Sequence, residues 1–161
     1  MDLRNALLNI LILAVMCSIA SCGGVKLSQA NEQMERGEYF DAAKTYRKIY
    51  NKLTKREDRP LRGEVAYKMA ECHRRLSQFQ RAASAYQNAI RYEYPDTLAY
   101  LRLAEMQHAA GQYAQAVKSY EDYLAMVPDS KEAEIGLSGA RTGAAKSGST
   151  RYVVRKMDMF N

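Results

Sequence analysis

The chain has no Trp, only 3 Phe and 9 Gly, and 2 His among 161 residues. Little glycine beside 12 Tyr and many Ala suits packed helices and does not suit a β-sandwich. There is no glycine-rich phosphate loop, no His-Glu-x-x-His, no Cys-x-x-Cys and no serine elbow, so no enzyme chemistry is indicated. His73 and His108 have no third ligand nearby in the sequence and read as packing or groove-lining side chains rather than a metal site. Catalytic residues, metal ligands and cofactors are all expected to be none.

The length allows one domain plus short extras. Lys and Arg total 24 against 18 Asp and Glu, a formal net charge of +6 with a pI of about 9.2.

What the sequence does contain is a repeat. Phe79, Ala82, Tyr86 and Ala89 reappear 34 residues later as Tyr113, Ala116, Tyr120 and Tyr123. A bulky residue followed by a small one recurs as Met69-Ala70 and Leu103-Ala104. A small turn residue two before an aromatic recurs as Ser77 with Phe79 and Gly111 with Tyr113. Pro128 closes the later unit, and Pro95 follows the earlier one. A period of about 34 residues with this grammar resembles the tetratricopeptide repeat (TPR), a helix–turn–helix unit. His73 and Gln107 stand where many members of that family carry large aromatics. Small side chains let paired helices approach while aromatics fill the gap beside them.

One TPR cannot bury its apolar face alone, so about three are needed. A first repeat is found at residues 26–60, with Gly37, Tyr39, Ala42 and Tyr46 at the turn, aromatic, small and aromatic positions. Its first helix (about Lys26 to Arg36) carries Gln29 and Gln33 where bulk is expected. Its second helix, apolar at Tyr46, Ile49, Tyr50 and Leu53, is predicted to lengthen into a charged turn ended by Pro60. Lys52, Lys55, Arg56, Arg59 and Arg62 cluster there as a basic patch, either a solvated turn or a contact for an anionic partner.

Repeats at 63–95 and 97–128 follow, then a capping helix over 130–142, with Asp129 and Ser130 as N-cap candidates and Glu132 completing a capping box. Ala133, Leu137 and Ala140 are spaced to cover the end of the stack. The expected fold is therefore all-α, a TPR solenoid of three repeats plus a C-terminal capping helix over 26–142. Residues 143–150 read as a polar linker, and Arg151 to Asn161 as a strand or the start of a further domain.

Ahead of the repeats, residues 1–21 fit a secretory signal, with Ala6 to Ala20 mostly apolar and too short for a permanent span. Ile19-Ala20-Ser21-Cys22, followed by Gly23-Gly24, resembles a bacterial lipobox. The resemblance implies cleavage before Cys22 and acylation (palmitate) there, with residues 22–25 as a lipidated tether. Several acyl chains at about 0.8 kcal/mol per buried CH₂ give stable anchoring. Gly rather than Asp after Cys22 resembles lipoproteins of the outer membrane, and no acidic run suggests surface export, so the periplasmic face is expected. With Cys17 removed and Cys22 acylated, Cys72 stands alone and is expected to be buried.

TPR arrays bind extended peptides or helices in the groove lined by the first helix of each repeat. The family register implies a partner-binding groove formed by Leu27, Asn31, Met34, Tyr67, Glu71, Arg74, Leu101, Glu105 and His108. Asn31 fits the carboxylate-clamp subset of the family, but Leu27 and Leu98 stand where that subset has lysines, so a chaperone-tail clamp is not expected. The layout also resembles outer-membrane lipoproteins that begin with TPRs and continue into a β-propeller and an OmpA-like domain, associated with type IX secretion. The expected function is thus a non-enzymatic interaction scaffold in an envelope or secretion complex. Its expected partner is a protein, a peptide or helix in the groove, with membrane contact through the lipid, cell-wall association through a partner, and no nucleic acid. The alternative is a cell-wall accessory or anionic-polymer-binding module using the basic patch, whose affinity would fall steeply with salt.

Overall fold

The computed structural model describes residues 26–158, and the side chains as far as residue 148. The signal segment, Cys22, the tether 22–25 and residues 159–161 lie outside the described residues. Among the described residues seven α-helices follow one another: α1 (Leu27–Glu35), α2 (Tyr39–Lys52), α3 (Arg59–Arg75), α4 (Phe79–Arg91), α5 (Leu98–Ala109), α6 (Tyr113–Met126) and α7 (Lys131–Asp158). A 3₁₀ turn, Arg56–Asp58, precedes α3. Each helix packs on the next, giving three antiparallel pairs and a cap in a TPR-type solenoid.

The first helix of every pair ends in the same way. Gly37, Ser77 and Gly111 adopt φ of +76°, +54° and +74°. The next residue's N–H then reaches back to the helix: Glu38 to the Gln33 carbonyl (2.8 Å), Gln78 to His73 (2.9 Å) and Gln112 to Gln107 (2.8 Å). This left-handed stop turns the chain at once into the second helix. Ser77 adopts it with a Cβ, which glycine avoids at the other two turns.

The core repeats as the spacing predicts. Ala30, Ala70 and Ala104 on the first helices, and Ala42, Ala82 and Ala116 on the second, are all fully buried. Tyr46, Tyr86 and Tyr120 are buried beside them. The two polar residues at aromatic positions are satisfied: His73 Nδ1 lies 2.8 Å from Gln78 Oε1, and Ser119 Oγ donates to Gln107 Oε1 at 2.7 Å. Cys72 is buried as expected, and burial pushes its thiol up to about 12, which leaves it unreactive.

Three expectations change. The second helix of repeat 1 is not lengthened: α2 stops at Lys52, and Pro60 lies in the first turn of α3 instead of ending a helix. Proline's fixed φ and missing N–H fit a first turn, where that N–H has no helical acceptor. The extra residues therefore extend α3 to 17 residues, against 12 in α5. The capping box of Asp129 and Glu132 is absent; Ser130 caps α7, its Oγ accepting from the Ala133 N–H at 3.4 Å.

The third correction concerns the tail. The expected linker 143–150 and the strand after it are helical: α7 runs unbroken to Asp158. Three of its glycines serve as packing residues. A Cβ on Gly136 would come within 2.6 Å of the Tyr120 ring, one on Gly139 within 2.9 Å of His108 Cε1, and one on Gly143 within 2.5 Å of Tyr113 Cδ1. Spaced three and four apart, these glycines form one face that lets α7 lie directly on the rings of repeat 3. Ala133 and Ala140 are buried in the same contact, with Leu137 packed beside them.

Candidate functional site

The concave side of repeats 1 and 2 holds a cavity of about 420 Å³. Asn31, Met34, Tyr67 and Glu71, all expected in the groove, line it together with Glu35, Tyr39, Tyr46, Lys68, Arg75 and Tyr94. Tyr67, Glu71 and Arg74 follow one another at helical spacing along α3, which sets them on one side of that helix.

Tyr67 forms the wall. It stacks on Tyr94 with centroids 4.4 Å apart and planes at 17°, and meets Tyr86 edge-on at 5.7 Å. Burial, and then the Glu71 charge, push its phenol up to about 12, so it stays neutral at physiological pH. Asn31 forms the opposite side. Its Oδ1 accepts from Tyr46 OH at 2.7 Å and from Lys68 Nζ at 3.1 Å. Lys68 in turn pairs with Glu64 at 3.0 Å. With its oxygen held by two donors, the Asn31 amide is fixed, and its N–H groups meet no acceptor among the described residues.

Glu71 sits between these walls. Arg74 Nη2 lies 2.7 Å from its carboxylate, and Tyr86 OH donates to it from the core. Burial alone would raise Glu71. The Arg74 and Tyr86 hydrogen bonds and the Arg74 and Arg102 charges outweigh burial and hold the carboxyl below its ordinary value. The surface combines immobilised phenols and one amide with the carboxylates Glu35 and Glu71 and the cations Lys68 and Arg75, suited to holding a chain by hydrogen bonds and ring contacts.

The third repeat contributes less than the register implies. Leu101 is only 2% exposed and belongs to the core with Ala104 and Tyr120. His108 lies beneath α7, edge-on to Tyr113 (5.6 Å) and Tyr120 (6.4 Å). Neither lines the groove, because the small residues of α7 bring the cap down onto both. Leu27 packs partly buried on the first core. Glu105 pairs with Arg102 at 2.7 Å and faces Glu132 of α7. Burial, and the facing Glu132, raise Glu105 despite Arg102. A carboxyl raised by folding opposes stability once pH exceeds its unfolded value, and that opposition fades as pH falls. Glu132→Gln is therefore expected to stabilise the protein by roughly 0.5–1 kcal/mol at neutral pH, with the gain shrinking near pH 4. Thermal melts at the two pH values check this; no gain at neutral pH would contradict it.

Lys68 and Tyr94 were missed by the register. Tyr94 is an aromatic directly before Pro95 in the turn after α4, and only that placement could have drawn attention to it.

The residues expected in a basic patch are engaged to different degrees. Arg62 is stacked between Tyr50 (4.5 Å) and Tyr92 (4.7 Å). Arg59 pairs with Glu93 at 3.2 Å and donates to the Arg91 carbonyl. Lys55 approaches Glu57 at 3.9 Å. Lys52 and Arg56 are exposed and make no ion pair among the described residues. Arg62 thus bridges repeats 1 and 2 through Tyr50 and Tyr92, while Lys52, Lys55, Arg56 and Arg59 stay exposed.

Residues 67–131 match the tetratricopeptide repeat family. A search of curated proteins gives no match. Among solved structures, the chain is similar to the first TPR domain of human RPAP3, at 24% identity over 76% of this chain and 91% of that one, with a TM-score of 0.57. It is similar to the second TPR domain of human RPAP3 in complex with an HSP70 peptide (19% identity, 71% and 90% covered, TM-score 0.56). It is also similar to the TPR2B domain of yeast Sti1 in its pHsp70 complex (20%, 70% and 90%, TM-score 0.54). At these identities the likeness is one of fold, and the fold is that of a TPR domain.

Proposed function

We propose that the protein is a non-enzymatic scaffold that holds an extended segment of a partner protein in the concave groove of repeats 1 and 2. The observation that carries this reading is Asn31, fixed by Tyr46 and Lys68 opposite the stacked Tyr67–Tyr94 wall, with its amide donors left to meet a peptide carbonyl. The RPAP3 and Sti1 domains of like fold are seen with HSP70 peptides. A carboxylate clamp of that kind is not carried over, because Leu27 and Leu98 stand at the lysine positions.

The lipobox at Ile19-Ala20-Ser21-Cys22 supports acylation of Cys22 and residence at the periplasmic face of the outer membrane. Four tether residues, 22–25, span on the order of 10–15 Å, so the partner is captured close to the leaflet. An envelope-assembly or type IX-like secretion complex is the setting this arrangement suits.

Two measurements test the proposal. Cys22→Ser is expected to move the protein from the membrane fraction to the soluble fraction; unchanged fractionation would overturn the anchor. Tyr67→Ala is expected to weaken retention of the partner by about tenfold or more in pull-downs of detergent-extracted protein, with little dependence on moderate salt. Retention equal to wild type would overturn the groove reading.

A further inference from the structure

The opposite face carries a second concavity. It lies between the second helices of repeats 1 and 2, α2 and α4, with α3 beneath. Two contiguous cavities of about 340 and 370 Å³ share Arg47, His73 and Arg81. Lys44 and Arg47 stand on the α2 wall and Arg81 on the α4 wall, over a floor that includes Ala43, Ala85 and Met69. Among the described residues, no Asp or Glu lines either cavity. Arg81 donates to Gln78 Oε1 at 3.3 Å, and none of the three cations has an ion pair among the described residues. Phe40, at the rim, is 64% exposed.

We propose that this cleft is a second docking site, and that it takes an acidic peptide segment of a partner protein in which carboxylates alternate with apolar side chains. Cations on facing walls can fork a carboxylate between them, and Phe40 and the apolar floor accept the neighbouring side chain. The site is sunk between two helices, a shape that admits an extended chain and not a flat bilayer surface. Arg47, Arg81 and His73 line both cavities, and burial together with the two arginine charges lowers the His73 imidazole despite its hydrogen bond to Gln78. The two faces together make the protein an adaptor, with the groove on one side and an acid-reading cleft on the other.

The test uses the full chain in detergent and a fluorescein-labelled octapeptide of alternating Glu and Leu, followed by anisotropy. The peptide is expected to bind, and its Gln-for-Glu counterpart to bind at least about tenfold more weakly. Arg47→Gln with Arg81→Gln should weaken the acidic peptide by a similar factor, while Tyr67→Ala on the other face should leave it unchanged. Equal binding of the two peptides overturns the proposal on wild-type protein alone, however the variant folds. Loss of binding in Tyr67→Ala with retention in the arginine variant assigns the peptide to the groove and overturns it. Phosphatidylglycerol vesicles that bind through Arg47 and Arg81 while the acidic peptide does not would also overturn it, in favour of a lipid surface.

Discussion

Tyr86→Ala is expected to destabilise the protein by about 3–5 kcal/mol, enough to unfold much of a domain whose total stability is of ordinary size. Tyr86 is fully buried, packs against Tyr67, and brings its hydroxyl to the Glu71 carboxylate. Truncation removes a large side chain from between α3 and α4 and leaves a half-buried carboxylate short of a donor. Tyr86→Phe separates the two effects. It keeps the ring and loses the hydrogen bond to a charged group, so about 1.5–3 kcal/mol is expected. The pH dependence has a definite sign. Glu71 is held below its ordinary value, so its contribution is complete above the unfolded carboxyl value and is lost as pH falls through the folded one. Urea denaturation from about pH 6 to pH 3 should therefore show stability falling with acid, and Glu71→Gln should flatten that slope while lowering stability at neutral pH. A slope unchanged in Glu71→Gln would show that the carboxylate is not tied as described.

The second large effect concerns the cap. Gly136→Ala is expected to destabilise by about 1–3 kcal/mol, although alanine is the better helix former, because its Cβ would come within 2.6 Å of the buried Tyr120 ring. Gly148→Ala, on the same helix with nothing among the described residues within 4 Å, should instead stabilise by up to about 1 kcal/mol. Opposite signs from one chemical change on one helix separate a packing glycine from a merely flexible one. The denaturation midpoints of the two variants decide it; a gain at Gly136 would mean that α7 is not seated on Tyr120. Repeat arrays lose stability largely through interfaces between neighbours, so unseating α7 would expose Leu101 and Tyr120 together.

The interior of the repeats was legible because it is built from local periodicity. Ala82 with Ala116, Tyr86 with Tyr120, and the turn residues Ser77 and Gly111 recur at one spacing, and each spacing maps to one side of a helix. The tail was misread for a physical reason. Glycine and serine between Gly143 and Ser149 match the composition of a linker, yet Gly136, Gly139 and Gly143 already keep helical spacing, the sign of a close helix contact. The groove was half legible. The register points to Tyr67 and Glu71, which line one cavity, but carried to the last repeat it puts Leu101 and His108 where a capping helix covers them. The basic patch could not be judged from the chain, since the rings that enclose Arg62 come from Tyr50 and Tyr92, far apart in sequence.

A photo-crosslinking amino acid in place of Tyr67, with Glu134 on exposed α7 as the control position, probes the groove in intact membranes most directly. The account predicts a discrete protein adduct from position 67, found in the membrane fraction and absent from position 134. No adduct at 67, or the same adduct from both positions, would contradict it.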